Sequence, residues 1–346
     1  MPPDVTRDLL HALPKAELHV HLDGSLRPET MLELAASLAV ELPAHEPHAL
    51  AEAMRAGDSR DLTEYLEKFA ITLSLMQEPE AMERIAFELV EDSAAETVRY
   101  LEVRYSPILH TEKGMSLEAA VEAPLRGLAR AEEAFGVRTG LIICGMRHMD
   151  PAASMELAEL AVAFRDRGVV AFDLAGAEAG NPPTRHREAC QLAADSNLGI
   201  TIHAGEAAGA ESIAGAIHGC HARRVGHGTR LREDPALEAF VNDFRIPLEV
   251  CLTSNVQTRV TPSVAEHPFR RYFDLGLVVT LNTDNRLVSG TTLTEEYLLA
   301  HRHLGFSWEE LVEVSLMGFQ AAFLPYAARI NLLEAVEEEM RGMAEG

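Results

Sequence analysis

Eight short apolar runs recur along this chain, and each closes on polar or glycine residues. They are Ala16–Leu22, Val98–Tyr105, Gly140–Cys144, Val169–Leu174, Ile200–His203, Arg224–Gly228, Ile246–Cys251 and Leu277–Asn282. Short apolar runs bounded in this way read as strands buried on both faces. Between them lie helical patterns. Met155–Arg167 and His186–Asn197 repeat apolar residues at three- and four-residue spacing, and Asp234 is placed to cap Pro235–Asn242. Strand and helix alternating eight times predict an α/β fold, the (β/α)8 TIM barrel, whose chemistry sits at the C-terminal ends of the strands. The 346 residues fall inside the range of such barrels, about 200 to more than 400. No linker or low-complexity tract interrupts the chain, so residues 1–346 read as a single domain.

Two stretches break the repeat. Residues 25–97 replace one helix with a long helical insertion after strand 1. Within its pattern Leu62–Met76, Leu66, Phe69 and Leu73 share one helix face; they either roof the barrel mouth or pack as an ordinary helix. The second stretch, 307–346, predicts C-terminal helices. It opens on a capping box, Ser307-Trp308-Glu309-Glu310, with Phe306 and Leu311 placed as a hydrophobic staple.

The first run carries His19 and His21. A strand has a side-chain period of two, so both imidazoles share one face while Leu18, Val20 and Leu22 share the other. Alone, the pair fits a metal ion or two hydrogen-bonded core histidines equally well. The other strand ends add Glu102, Asp173, His203, Glu206, His227, Ser254, Asp284 and Asn285. Nitrogen and oxygen donors without thiolate, converging on one barrel mouth, suit Zn2+ with a position left for water. Such an ion lowers the pKa of water from about 16 to near 7. Glu206, returned to the mouth by the tight turn at Ala204-Gly205, is placed as a general acid. His227, between Gly226 and Gly228, is placed to orient the water and accept its proton. Asp284 is a candidate carboxylate ligand. His45, His48, His186, His218, His221 and His267 lie in expected loops or helices and read as background, and His148 after the third run is ambiguous.

Composition excludes some classes. A net charge of −24 argues against nucleic acid and anionic membranes as partners. No stretch approaches the roughly 18 apolar residues of a membrane span. Met1–Asp8 lacks the basic and apolar regions of a secretory leader. Cys144, Cys190, Cys220 and Cys251 have no C-x-x-C spacing and read as reduced, buried thiols. The expected location is the cytoplasm.

Taken in order, Pro14–Gly24, Glu102–Pro107, Met146–His148, Asp173–Gly176, His203–Glu206, Val225–Gly228 and Leu281–Asp284 resemble the adenosine deaminases of the metal-dependent amidohydrolase superfamily. The resemblance runs nearly end to end. It implies one Zn2+ per chain and hydrolysis of the 6-amino group of adenosine and 2′-deoxyadenosine, giving inosine or deoxyinosine and ammonia. Carried over, His19, His21, His203 and Asp284 look like the zinc ligands, and Asp284 is also read as catalytic. Glu206 looks like the acid that protonates purine N1, and His227 like the base and orienter of the attacking water. Gly176 looks like the backbone N–H donor to N3, and Asp23 like the contact to the ribose 5′-hydroxyl. His21 is also read as facing the substrate, and Ser254 as supporting a ligand. The animal members have two aspartates after the eighth strand, whereas here Asn285 follows Asp284. The family role of that residue is a hydrogen bond to N7. N7 only accepts, and an amide donates to it directly. Free-adenine deaminases of the family carry Glu where this chain has Asp23, so Asp23 favours a nucleoside.

Two other readings stay open at this point. One is a deaminase for another 6-aminopurine nucleoside, such as 6-aminodeoxyfutalosine of menaquinone synthesis. The other is a non-catalytic nucleoside-binding barrel. A nucleotide is disfavoured because no glycine-rich or multi-arginine phosphate cradle stands out. The cytidine-deaminase fold is disfavoured because H-x-E with P-C-x-x-C is missing.

Overall fold

The computed structural model describes residues 4–57 and 68–345. Eight strands follow one another: β1 (Lys15–His21), β2 (Val98–Tyr105), β3 (Arg138–Met146), β4 (Val169–Ala175), β5 (Gly199–Ala204), β6 (Arg224–His227), β7 (Leu248–Val250) and β8 (Val279–Leu281). Each pairs in parallel with the next, in chain order. The ring closes through a parallel bridge between Val20 and Asp284. His21 N–H donates to the Asp284 carbonyl at 2.7 Å, and Asp284 N–H to the His19 carbonyl at 2.9 Å. The fold is thus a (β/α)8 barrel, and residues expected at its site also close it. β7 and β8 are shorter than their apolar runs, and Pro247, with no N–H, precedes β7. Flanking bonds such as Asn282 N–H to the Val250 carbonyl, 2.9 Å, keep the register.

The insertion after β1 forms helices Pro28–Leu38, Pro47–Met54, Phe69–Leu75 and Pro79–Ala95. Three of these start on proline, whose fixed φ and missing N–H suit the first helical position. Leu62–Glu67 of the expected lid lie outside the described residues. Helices Leu293–Leu304, Trp308–Ala321 and Tyr326–Glu345 end the chain. Ser307 and Glu310 make the expected capping box, and Asp234 caps Pro235–Asp243 through the N–H groups of Ala236 and Leu237. Trp308–Ala321 covers the barrel at β1 and β8, where Ser315 Oγ donates to the Pro14 carbonyl at 2.6 Å. No helix among the described residues is long and apolar enough to cross a membrane.

The barrel interior is not wholly apolar. Arg104, from β2, donates to Asp173 Oδ2 at 3.0 Å and Glu249 Oε2 at 2.8 Å. Arg224, from the start of β6, donates to Glu249 Oε1 at 2.6 Å and makes a short bond to Glu102. All five are buried, and burial of such charges is tolerable only because each faces its opposite. Glu102 therefore differs from the expectation that it stands at a strand end. β2 continues three residues past it to Tyr105, and it faces Arg224, the Tyr100 hydroxyl and the Phe323 N–H, away from the mouth.

Candidate active site

The mouth is built from the C-terminal ends of β1, β5, β6 and β8. His19 and His21 do share a face there. His19, His21, His203 and Asp284 each offer one ligand atom, and all four atoms lie within 4.8 Å of one another. His21 Nε2 and His203 Nε2 are 3.1 Å apart, and Asp284 Oδ1 is 3.4 Å from the Nε2 atoms of both His19 and His21. Donor atoms that each stand about 2.0–2.1 Å from one zinc ion lie roughly 3–4 Å from one another, so these spacings fit. His19 Nε2 is buried and has no hydrogen-bond partner among the described residues. An orphaned imidazole nitrogen aimed at two other imidazoles and a carboxylate is what a bound cation requires.

The opposite ring nitrogens explain why the cluster is preset. His19 Nδ1 lies 2.9 Å from Glu249 Oε2, and His203 Nδ1 lies 3.0 Å from Asp173 Oδ2. A carboxylate only accepts, so each Nδ1 carries the proton and each Nε2 keeps its lone pair for the site. Asp284 Oδ2 accepts from Ser254 Oγ at 2.6 Å, which places Ser254 behind a candidate ligand. Burial would raise the pKa of Asp284, but the facing imidazoles of His19, His227 and His21 hold it well below the usual range. A second grouping, His227, Cys251 and Asp284, shares the carboxylate. Burial raises the Cys251 thiol well above its ordinary value, which makes it the poorer donor.

His227 and Asp284 both take left-handed backbone, each with φ 62°. Non-glycine residues held there store on the order of 1 kcal/mol each, and such strain clusters at functional sites. Gly226 makes the approach possible: a Cβ on it would stand 3.0 Å from His19 Cε1 and 3.2 Å from His203 Cα. Gly24 does the same for Asn285, since a Cβ there would lie 1.8 Å from Asn285 Oδ1.

Glu206 is held by its loop. One carboxylate, Glu178, accepts four successive backbone N–H groups: Gly205 at 2.8 Å, Glu206 at 3.0 Å, Ala207 at 2.5 Å and Ala208 at 2.9 Å. Glu206 Oε1 accepts from Thr258 Oγ1 at 3.0 Å, and Oε2 lies 3.6 Å from His227 Nε2. Burial, with the Asp284 and Glu178 charges, pushes Glu206 up to about 7, so a large share of it is protonated near neutrality. Burial likewise pushes Asp23 up to about 7 and His227 down to about 4.

These groups face one cavity of about 240 Å³. Its wall holds His21, Asp23, Gly176, His203, Glu206, His227, Asp284 and Asn285 together. Phe69 and Leu73 line it too, which decides for the roofing reading over ordinary packing at these two positions. His148 also lines it, with its side chain exposed at the rim. No lysine or arginine lines it among the described residues. Sequence reasoning passed over Glu249, Glu178, Asn255 and His267. Only Glu249 carries a local signal, a lone carboxylate between Leu248 and Val250 in a fully buried strand.

The model of the family described as adenosine deaminase matches residues 14–339. The chain belongs to the adenosine deaminase family. An adenosine deaminase of Mycolicibacterium vanbaalenii is 45% identical, with 96% of each chain covered. Among solved structures, the adenine deaminase of Arthrobacter aurescens is similar at 30% identity and a TM-score of 0.89, covering 95% of this chain and 99% of that one. An amidohydrolase from Burkholderia ambifaria with bound Zn is 26% identical with a TM-score of 0.87, covering 99% and 97%. Family membership makes this chain a hydrolytic deaminase and sets aside the non-catalytic barrel.

Proposed function

We propose that the enzyme deaminates adenosine and 2′-deoxyadenosine, with one Zn2+ per chain held by His19, His21, His203 and Asp284. The observation that carries this reading is the four-ligand cluster beside Glu206, raised to about 7, in one cavity lined, among the described residues, by no lysine or arginine. Zinc in that cluster would supply an acidified water at neutral pH. Glu206 donates its proton to purine N1, and electron density entering the ring at C6 then has a neutral site to reach. His227, 3.6 Å from Glu206, faces the same point and orients the water. Asn285 donates its amide to N7, Gly176 its N–H to N3, and Asp23 meets the 5′-hydroxyl. Phe69 and Leu73 add apolar surface to the same cavity. A phosphate would meet Asp23 and no described lysine or arginine there, so a nucleoside is preferred to a nucleotide. Reduced, buried cysteines fit a cytoplasmic location.

The test compares kcat/KM for adenosine, deoxyadenosine, adenine, AMP and 6-aminodeoxyfutalosine by loss of absorbance, with metal content measured alongside. Adenosine and deoxyadenosine should lead by at least about tenfold, because truncating or charging the sugar loses binding used in the transition state. A lead by aminodeoxyfutalosine or AMP would overturn the substrate assignment. About one zinc per chain is expected, and His19→Ala with wild-type zinc would remove His19 as a ligand.

A further inference from the structure

His227 turns Nε2 toward Glu206 and its Nδ1 toward the barrel wall, where Asn255 Nδ2 lies 3.1 Å away. An imidazole nitrogen can donate or accept, and an amide can be turned over, so this contact alone leaves the His227 proton unplaced. The next partners place it. Asn255 Oδ1 lies 3.1 Å from His267 Nε2 and 3.0 Å from Thr229 Oγ1. His267 Nδ1 in turn accepts the backbone N–H of Phe269 at 3.1 Å. A backbone N–H is only ever a donor, so His267 Nδ1 has no proton. Burial pushes His267 down to about 3, so it is neutral and its single proton is on Nε2. That N–H must meet an acceptor, which orients the Asn255 oxygen toward His267 and the Asn255 NH2 toward His227. Nδ1 of His227 then accepts. His227, Asn255, His267 and Thr229 are all buried, so water does not compete for these bonds.

We infer that Asn255 and His267 are positioning residues that hold His227 with Nδ1 as the acceptor and its proton on Nε2, facing the reaction site. The inference rests on the deaminase reading above and deepens it. It separates two roles. In this tautomer His227 donates to an oxygen in the site and orients it. It accepts no proton at Nε2 until the Asn255 amide turns over, which would set two N–H groups against each other at His267.

The experiment is histidine-selective 15N labelling of the full chain, with long-range 1H–15N correlation spectra in the zinc-free and zinc-loaded protein. His227 and His267 should each show a protonated Nε2 and an unprotonated Nδ1. Asn255→Asp presents only an acceptor to His227, so the proton should move to Nδ1. Its kcat should fall about 10- to 100-fold, the usual loss when an outer hydrogen-bond partner goes. KM and zinc content should stay within about twofold. His267→Leu should give His227 a mixture of tautomers and a similar loss in kcat. His267→Gln sets an amide N–H where Nε2 stood and should restore both. A wild-type His227 protonated on Nδ1 overturns the inference, as does Asn255→Asp with an unchanged tautomer and kcat. The wild-type spectra decide the tautomer even if a variant fails to fold. They decide it whether or not adenosine is turned over, so failure of the substrate reading remains distinct.

Discussion

Two clusters of buried charge share this barrel, and they are finished differently. In the interior, Glu102, Asp173 and Glu249 each face Arg104 or Arg224, and Thr201 and Tyr100 supply further donors. At the mouth, His19 Nε2 and Asp23 Oδ1 have no hydrogen-bond partner among the described residues, and burial pushes Glu206 up to about 7. Both clusters pay desolvation, but only the interior one recovers it within the protein. On the reading proposed above, a bound cation and the substrate supply the compensation at the mouth. Asp173 and Glu249 belong to both: one oxygen of each faces Arg104, and each also fixes a histidine of the mouth. The structural network is therefore the support on which the site is preset.

The largest break in this comparison is at the mouth. Glu206→Gln keeps shape and metal but cannot deliver a proton, and kcat should fall by about 10³-fold or more. Zinc content should equal wild type. Substantial turnover by this variant would sink the acid assignment. Next is the interior. Arg104→Met leaves Asp173 and Glu249 short of their shared cation. Breaking a buried pair costs about 3–5 kcal/mol, which in a chain of this size lowers Tm by roughly 4–7 °C. An unchanged melting curve would show that the network does not support the fold.

A pH profile sharpens the contrast without mutation. Glu206 is raised to about 7, so its acid form is full below that value and falls tenfold per unit above it. A bound dication lowers the value further, so kcat should decline from about 7 or below as pH rises. Glu206→Gln should lose that falling limb. A wild-type kcat flat from pH 6 to 9 would mean that no proton from Glu206 is needed.

The sequence showed much of the mouth and little of what supports it. Strands were readable because a parallel barrel buries both faces and leaves unbroken apolar runs. His19 and His21 were readable because a strand has period two. Both signals are local. Glu249 meets His19 across 230 residues, and Asn255 meets His227 across 28, and no local pattern encodes such pairings. His267 looked like a background histidine because its partners, Asn255 and the Phe269 N–H, exist only in the fold. Glu102 was misplaced although the Ser106-Pro107 stop put the end of β2 beyond it. A carboxylate inside a strand was read as chemistry when its partner Arg224 makes it structure.

Asn285 is the smallest lever and tests how finely the mouth is set. Its side chain lies against Gly24, where not even a methyl group fits, so it has little freedom to swing. Aspartate has the same shape and would stay in place, but it would stand next to Asp284. Two adjacent buried carboxylates cannot both ionise cheaply, so one pKa rises. Asn285→Asp can then donate to N7 only while protonated, whereas the amide donates at every pH. One neutral hydrogen bond is worth about 0.5–1.5 kcal/mol, so kcat/KM should drop roughly two- to tenfold at pH 8 and less at pH 6. If kcat and KM are unmoved at both, Asn285 makes no contact with N7, and the purine is oriented by Glu206 and Gly176 alone.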